Sequence, residues 1–169
     1  MVCMVKKKKK SIILIIVLLG IFVGISPASK HITLYFEAKT WIKYFEDKDE
    51  KGLLKLFCSD IKINHREKTL EEINDAFKFI DGDIIKYDYR GEGSGGESVQ
   101  GCRTEYFYYH PEYRVKTNTG KKYKIIFSCN YVCKDRPEIE GIEWIWIIEY
   151  DGNKEYSEVY IGEEYEFDK

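Results

Sequence analysis

Apolar residues recur at helical spacing in the first part of the chain and at every second position in the rest. Leu34, Ala38, Trp41 and Phe45 stand at i, i+4, i+7 and i+11, one stripe of an amphipathic helix. A short second helix is predicted at EKGLLKLF, from Glu50. A third is predicted from Thr69, where TLEE offers Thr69 as N-cap and Glu72 three residues on, the pairing of a capping box. Leu70, Ile73, Phe77 and Ile80 supply its buried face. Asp81-Gly82 ends it, because Gly82 accepts the left-handed conformation favoured after a helix.

From residue 83 the period becomes two, and turn residues separate five runs. Strands are predicted from Ile84 to Tyr89, Arg103 to Lys116 (Pro111 marking a bulge or edge), Tyr123 to Cys133, Gly141 to Tyr150 and Lys154 to Ile161, with turns at TNTGK and YDGN. On the fourth, Ile142, Trp144, Trp146, Ile148 and Tyr150 share one face, opposite Glu143, Ile145, Ile147 and Glu149. On the third, Tyr123, Ile125, Phe127, Cys129 and Tyr131 share a face. Helices ahead of strands predict an α+β domain, with N-terminal helices packed on a curved antiparallel sheet that encloses a pocket.

GEGSGG, from Gly91 to Gly96, spells G-x-G-x-x-G after a strand. A dinucleotide site needs a helix to start at the last glycine, so that its amides meet the pyrophosphate. Here the chain continues as ESVQGCRTEYFYYH, another strand. A kinase glycine loop needs Val where Ser98 stands, and a P-loop needs Gly-Lys-Ser/Thr. The glycines therefore predict a flexible hairpin loop at the rim of the sheet rather than a phosphate cradle.

The first thirty residues change the picture of where the domain resides. Lys6 to Lys10 abut an apolar run from Ile12 to Ile25 with no acidic residue, followed by Ser26, Pro27 and Ala28. This predicts a signal peptide or single-pass anchor over residues 1–28, with an extracytoplasmic domain over 29–169 and the lysines on the cytoplasmic side. Without those five lysines, 22 basic residues stand against 29 acidic ones, a balance of about −7. Nucleic acid is an unfavourable partner for such a body, and the membrane is expected to meet only the N-terminal segment. The 15% of aromatic residues and 44% of apolar ones exclude a disordered polymer.

Four cysteines follow the anchor: Cys58, Cys102, Cys129 and Cys133. An even number permits disulfides in an exported chain, with connectivity undetermined. Cys129 and Cys133, four apart on one strand, stand roughly 13 Å from each other and cannot bond together. No metal site is predicted, since His31, His65 and His110 sit singly and Cys129-x3-Cys133 lacks a second pair. No cofactor is expected. No Ser lies in a nucleophile elbow.

Acid/base work by a buried carboxylate remains open, because Asp81, Asp83, Asp88 and Glu143 fall near the pocket walls and an apolar pocket raises a carboxyl pKa. Asp88 and Glu143 are the catalytic candidates. Trp144 and Trp146 form either core under the helices or the wall of a ligand pocket, with Tyr123 and Phe127 across the sheet.

DKDEKGLLKLFCSD, EEINDAFKFIDGDIIKYD, the Gly/Ser-rich stretch, YRVKTNTGKKYKIIFS and IEGIEWIWI together resemble an uncharacterised family, domain of unknown function 5104, over roughly residues 32 to 150. Phe77, Phe79, Asp81-Gly82 and Tyr87-Asp88 match its F-x-F-x-D-G-x-I-x-x-Y-D pattern. The resemblance implies a small exported bacterial domain of nuclear transport factor 2-like fold, a cone that dimerises through its sheet face by analogy. Relatives resembling lipoproteins carry a Cys after the apolar run, where this chain has Ile21, so a peptide anchor replaces a lipid. The expectation is a non-enzymatic module for an unidentified small ligand or protein; its rival is a cone-fold isomerase or hydrolase.

Overall fold

The computed structural model describes residues 27–99, 103–152 and 154–165. Four helices precede five strands: α1 (Pro27–Glu46), α2 (Glu50–Leu56), α3 (Ser59–Asn64), α4 (Arg66–Phe79), then β1 (Ile84–Val99), β2 (Arg103–Thr117), β3 (Lys122–Cys133), β4 (Gly141–Asp151) and β5 (Lys154–Gly162). The fold is α+β, as the order of periodicities predicts. The chain divides into two units, residues 1–39 and 40–169, and the second holds the whole sheet. Among the described residues no helix is long and apolar enough to cross a membrane. The lysine cluster and apolar run, within residues 1–26, lie outside them, as does Cys102.

The strands form one antiparallel meander in the order β1-β2-β3-β4-β5. Its inner face carries Tyr113 and Val115 from β2, Tyr123, Ile125 and Phe127 from β3, Ile145 and Ile147 from β4 and Ile161 from β5, all buried. Onto it pack Trp41, Ile42 and Phe45 from the end of α1, Leu53 and Leu54 from α2, Ile61 from α3, and Ile73 and Ala76 from α4. Aromatic rings meet edge to face at the centre of this core: Phe45 lies 5.7 Å from Phe77, and Tyr113 lies 5.6 Å from Phe127. Such tilted pairs suit the ring quadrupole. Of the predicted α1 stripe, Trp41 and Phe45 lie in this core, and the side chain of Leu34 is outside the described ones.

Two helix expectations need correction. The third predicted helix begins earlier, at Arg66, and a separate turn of helix, α3, precedes it. Thr69 is buried inside α4, where its hydroxyl donates to the His65 carbonyl at 2.9 Å instead of capping. Glu72 does not turn back to an N-terminus; its carboxylate accepts from the Gly162 N–H at 2.9 Å and ties α4 to the end of β5. A long-range backbone donor has taken the role that the local capping box offered.

The glycine run is also corrected. It is strand, not loop: Gly91 pairs with Pro111, Ser94 with Tyr109, Gly95 with Tyr108 and Gly96 with Phe107. Gly93, at φ +68°, is the extra residue of a bulge between Glu92 and Ser94. Gly95 has a steric reason to lack a side chain, since a Cβ there would run into the Tyr108 ring. Gly95 thus leaves room for a large aromatic residue of the neighbouring strand.

The predicted turns hold. Gly120, at φ +89°, sits in the TNTGK turn, where the Thr117 N–H donates to the Lys121 carbonyl at 3.0 Å. Asp151 pairs with Lys154 across the YDGN hairpin. Pro111 lies on an interior strand, and the β2–β3 ladder skips His110 and Pro111 between Tyr109↔Cys129 and Glu112↔Ile126. The gap falls where proline has no N–H to give.

Candidate functional site

The second bulge builds the site. Ser128 pairs with Trp144 but the adjacent Cys129 pairs with Ile142, so Glu143 is an extra residue in β4. Strict alternation, which places Glu143 opposite Trp144, fails here. Ile142 turns into the core, and Glu143 joins Ser128 and Asn130 on the outer face of the sheet. Gly162 makes the bulge possible. At φ +100° it faces the Glu143 carbonyl, which a Cβ would strike, while the next N–H, that of Glu163, donates to that carbonyl at 2.9 Å.

Glu143 is only 7% exposed. Its two carboxylate oxygens accept from the Ser128 hydroxyl at 2.6 Å and from the Asn130 side-chain amide at 2.9 Å. Burial pushes its pKa above the usual carboxylate range, with the Glu164 charge adding to the effect; the hydrogen bonds from Ser128, Asn130 and Trp144 only partly offset it.

Beside this carboxyl runs a row of aromatic rings. Tyr108 meets His110 edge-on at 5.1 Å, His110 meets Trp144 at 5.5 Å, and Trp144 stacks on Tyr160 at 5.7 Å with planes 30° apart. Ser128, opposite Trp144, is small enough for rings of β2 and β4 to touch above it. Burial holds the His110 imidazole below its usual pKa, favouring the neutral ring. Gly95 on β1 leaves the space that Tyr108 occupies at the far end of the row.

Over β4 and β5 the outer face hollows into a groove of 510 Å³ lined by Trp144, Trp146, Glu158, Val159, Tyr160 and Glu164. Tyr160 forms part of it and remains 39% exposed. The Trp146 indole N–H donates to Glu158 at 3.0 Å and fixes that carboxylate at the wall. Glu164 is held by its neighbours. Glu163 takes an ion pair from Lys68 at 2.5 Å, and the Tyr165 hydroxyl donates to Asp60 at 2.6 Å under the Arg136 guanidinium.

The sheet separates the other candidates from this groove. Tyr123 and Phe127 are fully buried on the inner face, so they do not share a wall with Trp144 and Trp146. The Tyr123 hydroxyl accepts from the Asp81 N–H at 3.0 Å and donates to the Phe79 carbonyl at 3.3 Å, closing the C-terminal end of α4. Phe127 packs on Trp41 at 5.4 Å. Asp88 is exposed on the edge strand β1, paired with Arg90 at 2.9 Å. Asp81 and Asp83 are exposed at the α4–β1 junction. Cys58 and Cys133 are buried thiols without a disulfide, and burial raises both pKa values. Among the described residues no group of three or more His, Cys, Asp or Glu is placed to hold a metal ion.

Ser128, Asn130, His110, Tyr160, Glu158 and Glu164 are missing from the sequence-predicted site. Ser128 and Asn130 carry a usable signal: they are polar residues inside IIFSCNYVC, a run otherwise suited to burial. Glu158 and Glu164 carry none, being indistinguishable in a sequence from solvated charge.

Residues 40–150 match the family described as Domain of unknown function (DUF5104). The chain belongs to this family. No curated protein matches it. The part of DUF5104 matched here contains Glu143, Ser128, Asn130, His110 and both groove tryptophans, and β5 with Tyr160 and Glu158, together with Glu164 just after it, lies beyond the match. The residues that resemble the family's F-x-F-x-D-G-x-I-x-x-Y-D pattern fall on the α4–β1 junction that Tyr123 closes, so in this DUF5104 domain Phe79 and Asp81 serve the fold through their backbone groups.

Proposed function

We propose that this DUF5104 domain is a non-enzymatic binding module that takes a small ligand on the outer face of its sheet, over β4 and β5. One observation carries the reading: the groove is concave, its two tryptophans and one tyrosine are half-buried or exposed rather than packed into the core, and carboxylates stand at its walls. Ligand sites combine such apolar surface with a few placed polar groups. The lysine cluster and apolar run of residues 1–28, read from the sequence as a signal peptide or anchor, support a surface-tethered or secreted setting outside the cytoplasm. The test is 19F NMR of the full chain labelled with 5-fluorotryptophan, titrated with a small-fragment library. Saturable shifts of Trp144 and Trp146 without a shift of Trp41 support the module; a library that moves neither groove residue sinks it.

A catalytic reading has one observation in its favour, the buried Glu143 with its raised pKa beside the groove. Both oxygens are already engaged by Ser128 and Asn130, which leaves binding ahead of acid/base chemistry. Turnover of any ester, glycoside or isomerisable ketone by the full chain, abolished in Glu143→Gln, would reverse that order.

A further inference from the structure

Resting on the reading of this groove as a ligand site, we infer that its ligand is a small organic cation carrying an alkylated ammonium group. The ionisable side chains at the lining, apart from the Tyr160 phenol, are the carboxylates Glu158 and Glu164, and among the described residues no lysine, arginine or histidine lines it. Basic residues of the surroundings are held by other partners: Lys124 by Glu155 at 2.6 Å, Lys122 by Asp151 at 2.9 Å, Lys68 by Glu163 at 2.5 Å, and Arg136 over the Tyr165 ring. His110, behind Trp144, is held toward its neutral form by burial. An anionic ligand would meet the negative charge of Glu158 and Glu164 at the lining, and a cation would meet no charge of its own sign among the described lining residues.

The apolar part of the lining makes the same selection. Indole and phenol rings present electron-rich faces, and a cation within about 6 Å of a ring centroid is attracted to them, tryptophan most strongly. Trp144 and Tyr160 are stacked, and Trp146 is fixed by its bond to Glu158, so the rings are held before a ligand arrives. Methyl groups on the nitrogen suit this surface because they spread the charge and remove hydrogen-bond donors that the rings cannot satisfy. The 510 Å³ groove accommodates a ligand of a few to a few tens of heavy atoms.

The experiment uses the same fluorotryptophan-labelled full chain. Tetramethylammonium chloride is titrated at constant ionic strength against sodium chloride, and in parallel with tert-butanol as a neutral probe of similar shape and sodium acetate as an anionic one. The expected result is saturable movement of the Trp144 and Trp146 resonances by tetramethylammonium, with Trp41 still. Affinity should exceed that for tert-butanol by roughly tenfold and fall by a similar factor in Glu158→Gln/Glu164→Gln. Equal affinity for tert-butanol, or preference for acetate, overturns the cationic class while the groove stands as a ligand site. No movement by any probe overturns both, as does movement that follows protein concentration instead of probe, which would mark the face as an interface between two copies.

Discussion

The Ser128 hydroxyl donates to Glu143 at 2.6 Å across the one place where β3 and β4 fall out of step. The contact joins a polar residue in a buried strand to a carboxyl that alternation assigns to the other face. Each explains the other: without the bulge Ser128 would sit beneath bare apolar surface, and without Ser128 and Asn130 the buried carboxyl would lose the two side-chain donors that engage its oxygens.

Glu143 makes stability depend on pH with a definite sign. Its folded pKa is raised above the unfolded value, so the protonated form is favoured in the native state. The contribution is complete below about pH 4.3, the ordinary carboxylate value, and is lost as pH rises through the folded pKa. Each pH unit in that window accounts for about 1.4 kcal/mol. Glu143→Gln retains an acceptor for Asn130 and removes the titration. Urea unfolding at several pH values should show the wild type losing ground to the variant from pH 4 upward, then a constant gap. A gap independent of pH throughout means that the carboxyl does not titrate differently on folding.

Gly162 should be among the least replaceable residues of the sheet. Gly162→Ala combines a positive φ with a collision against the Glu143 carbonyl, and the expected cost is about 2–4 kcal/mol. Gly152→Ala is the control, because Gly152 also has a positive φ, +61°, but faces open space. It should lose about 1 kcal/mol. Equal midpoints in urea for the two variants would show that the carbonyl contact yields without cost.

The α+β class, the five strands and most of the core are legible in the sequence because they follow from periods of 3.6 and two, which burial on one face imposes. Trp41, Phe45, Ile73 and Ile125 all lie where those periods put them, whereas on β4 the face that meets the helices is that of Ile145 and Ile147, not the Trp144/Trp146 face read as core or pocket wall. The errors share one cause, interaction between residues distant in the chain. Thr69 and Glu72 look like a local cap, but Glu72 is claimed by Gly162, 90 residues away. GEGSGG looks like a loop because glycine is a poor strand former; it pairs along β2, and at Gly95 the missing side chain makes room for the Tyr108 ring. Glu143, Trp144 and Trp146 are visible as candidates, yet Trp144 and Trp146 join Tyr160, Glu158 and Glu164 only once β5 folds against β4, and a bulge that re-aims Glu143 leaves no mark on composition.

The glycine run should behave as strand when cut. Removing Gly93 to Gly96 deletes residues that pair with Tyr109, Tyr108 and Phe107, and a large fall in melting temperature is expected by circular dichroism. Gly93→Ala should cost only about 1–2 kcal/mol, because its φ is positive but the nearest atom to a Cβ, on His110, is 3.6 Å away. A deletion no more harmful than the single substitution would return the segment to the status of a loop.

Tyr123→Phe tests whether the family-like stretch around Phe79 and Asp81 serves the fold. The phenol accepts from the Asp81 N–H and donates to the Phe79 carbonyl, and around it Asn118 and Thr119 hold the same corner: Asp83 N–H donates to Asn118 at 3.0 Å and Thr119 donates to the Asp81 carbonyl at 2.9 Å. Phenylalanine keeps the ring packed on Phe79, 5.8 Å away, and removes only the hydroxyl. The helix end then loses one donor and one acceptor from a half-buried position, an expected cost of about 1–2 kcal/mol in urea unfolding. The groove lies on the other side of the sheet, so the fluorine resonances of Trp144 and Trp146 should stay in place while amide exchange at Ile80 to Asp83 quickens. Movement of the groove resonances with unchanged stability would mean that the junction reports to the outer face, and that this motif belongs to the site rather than to the scaffold.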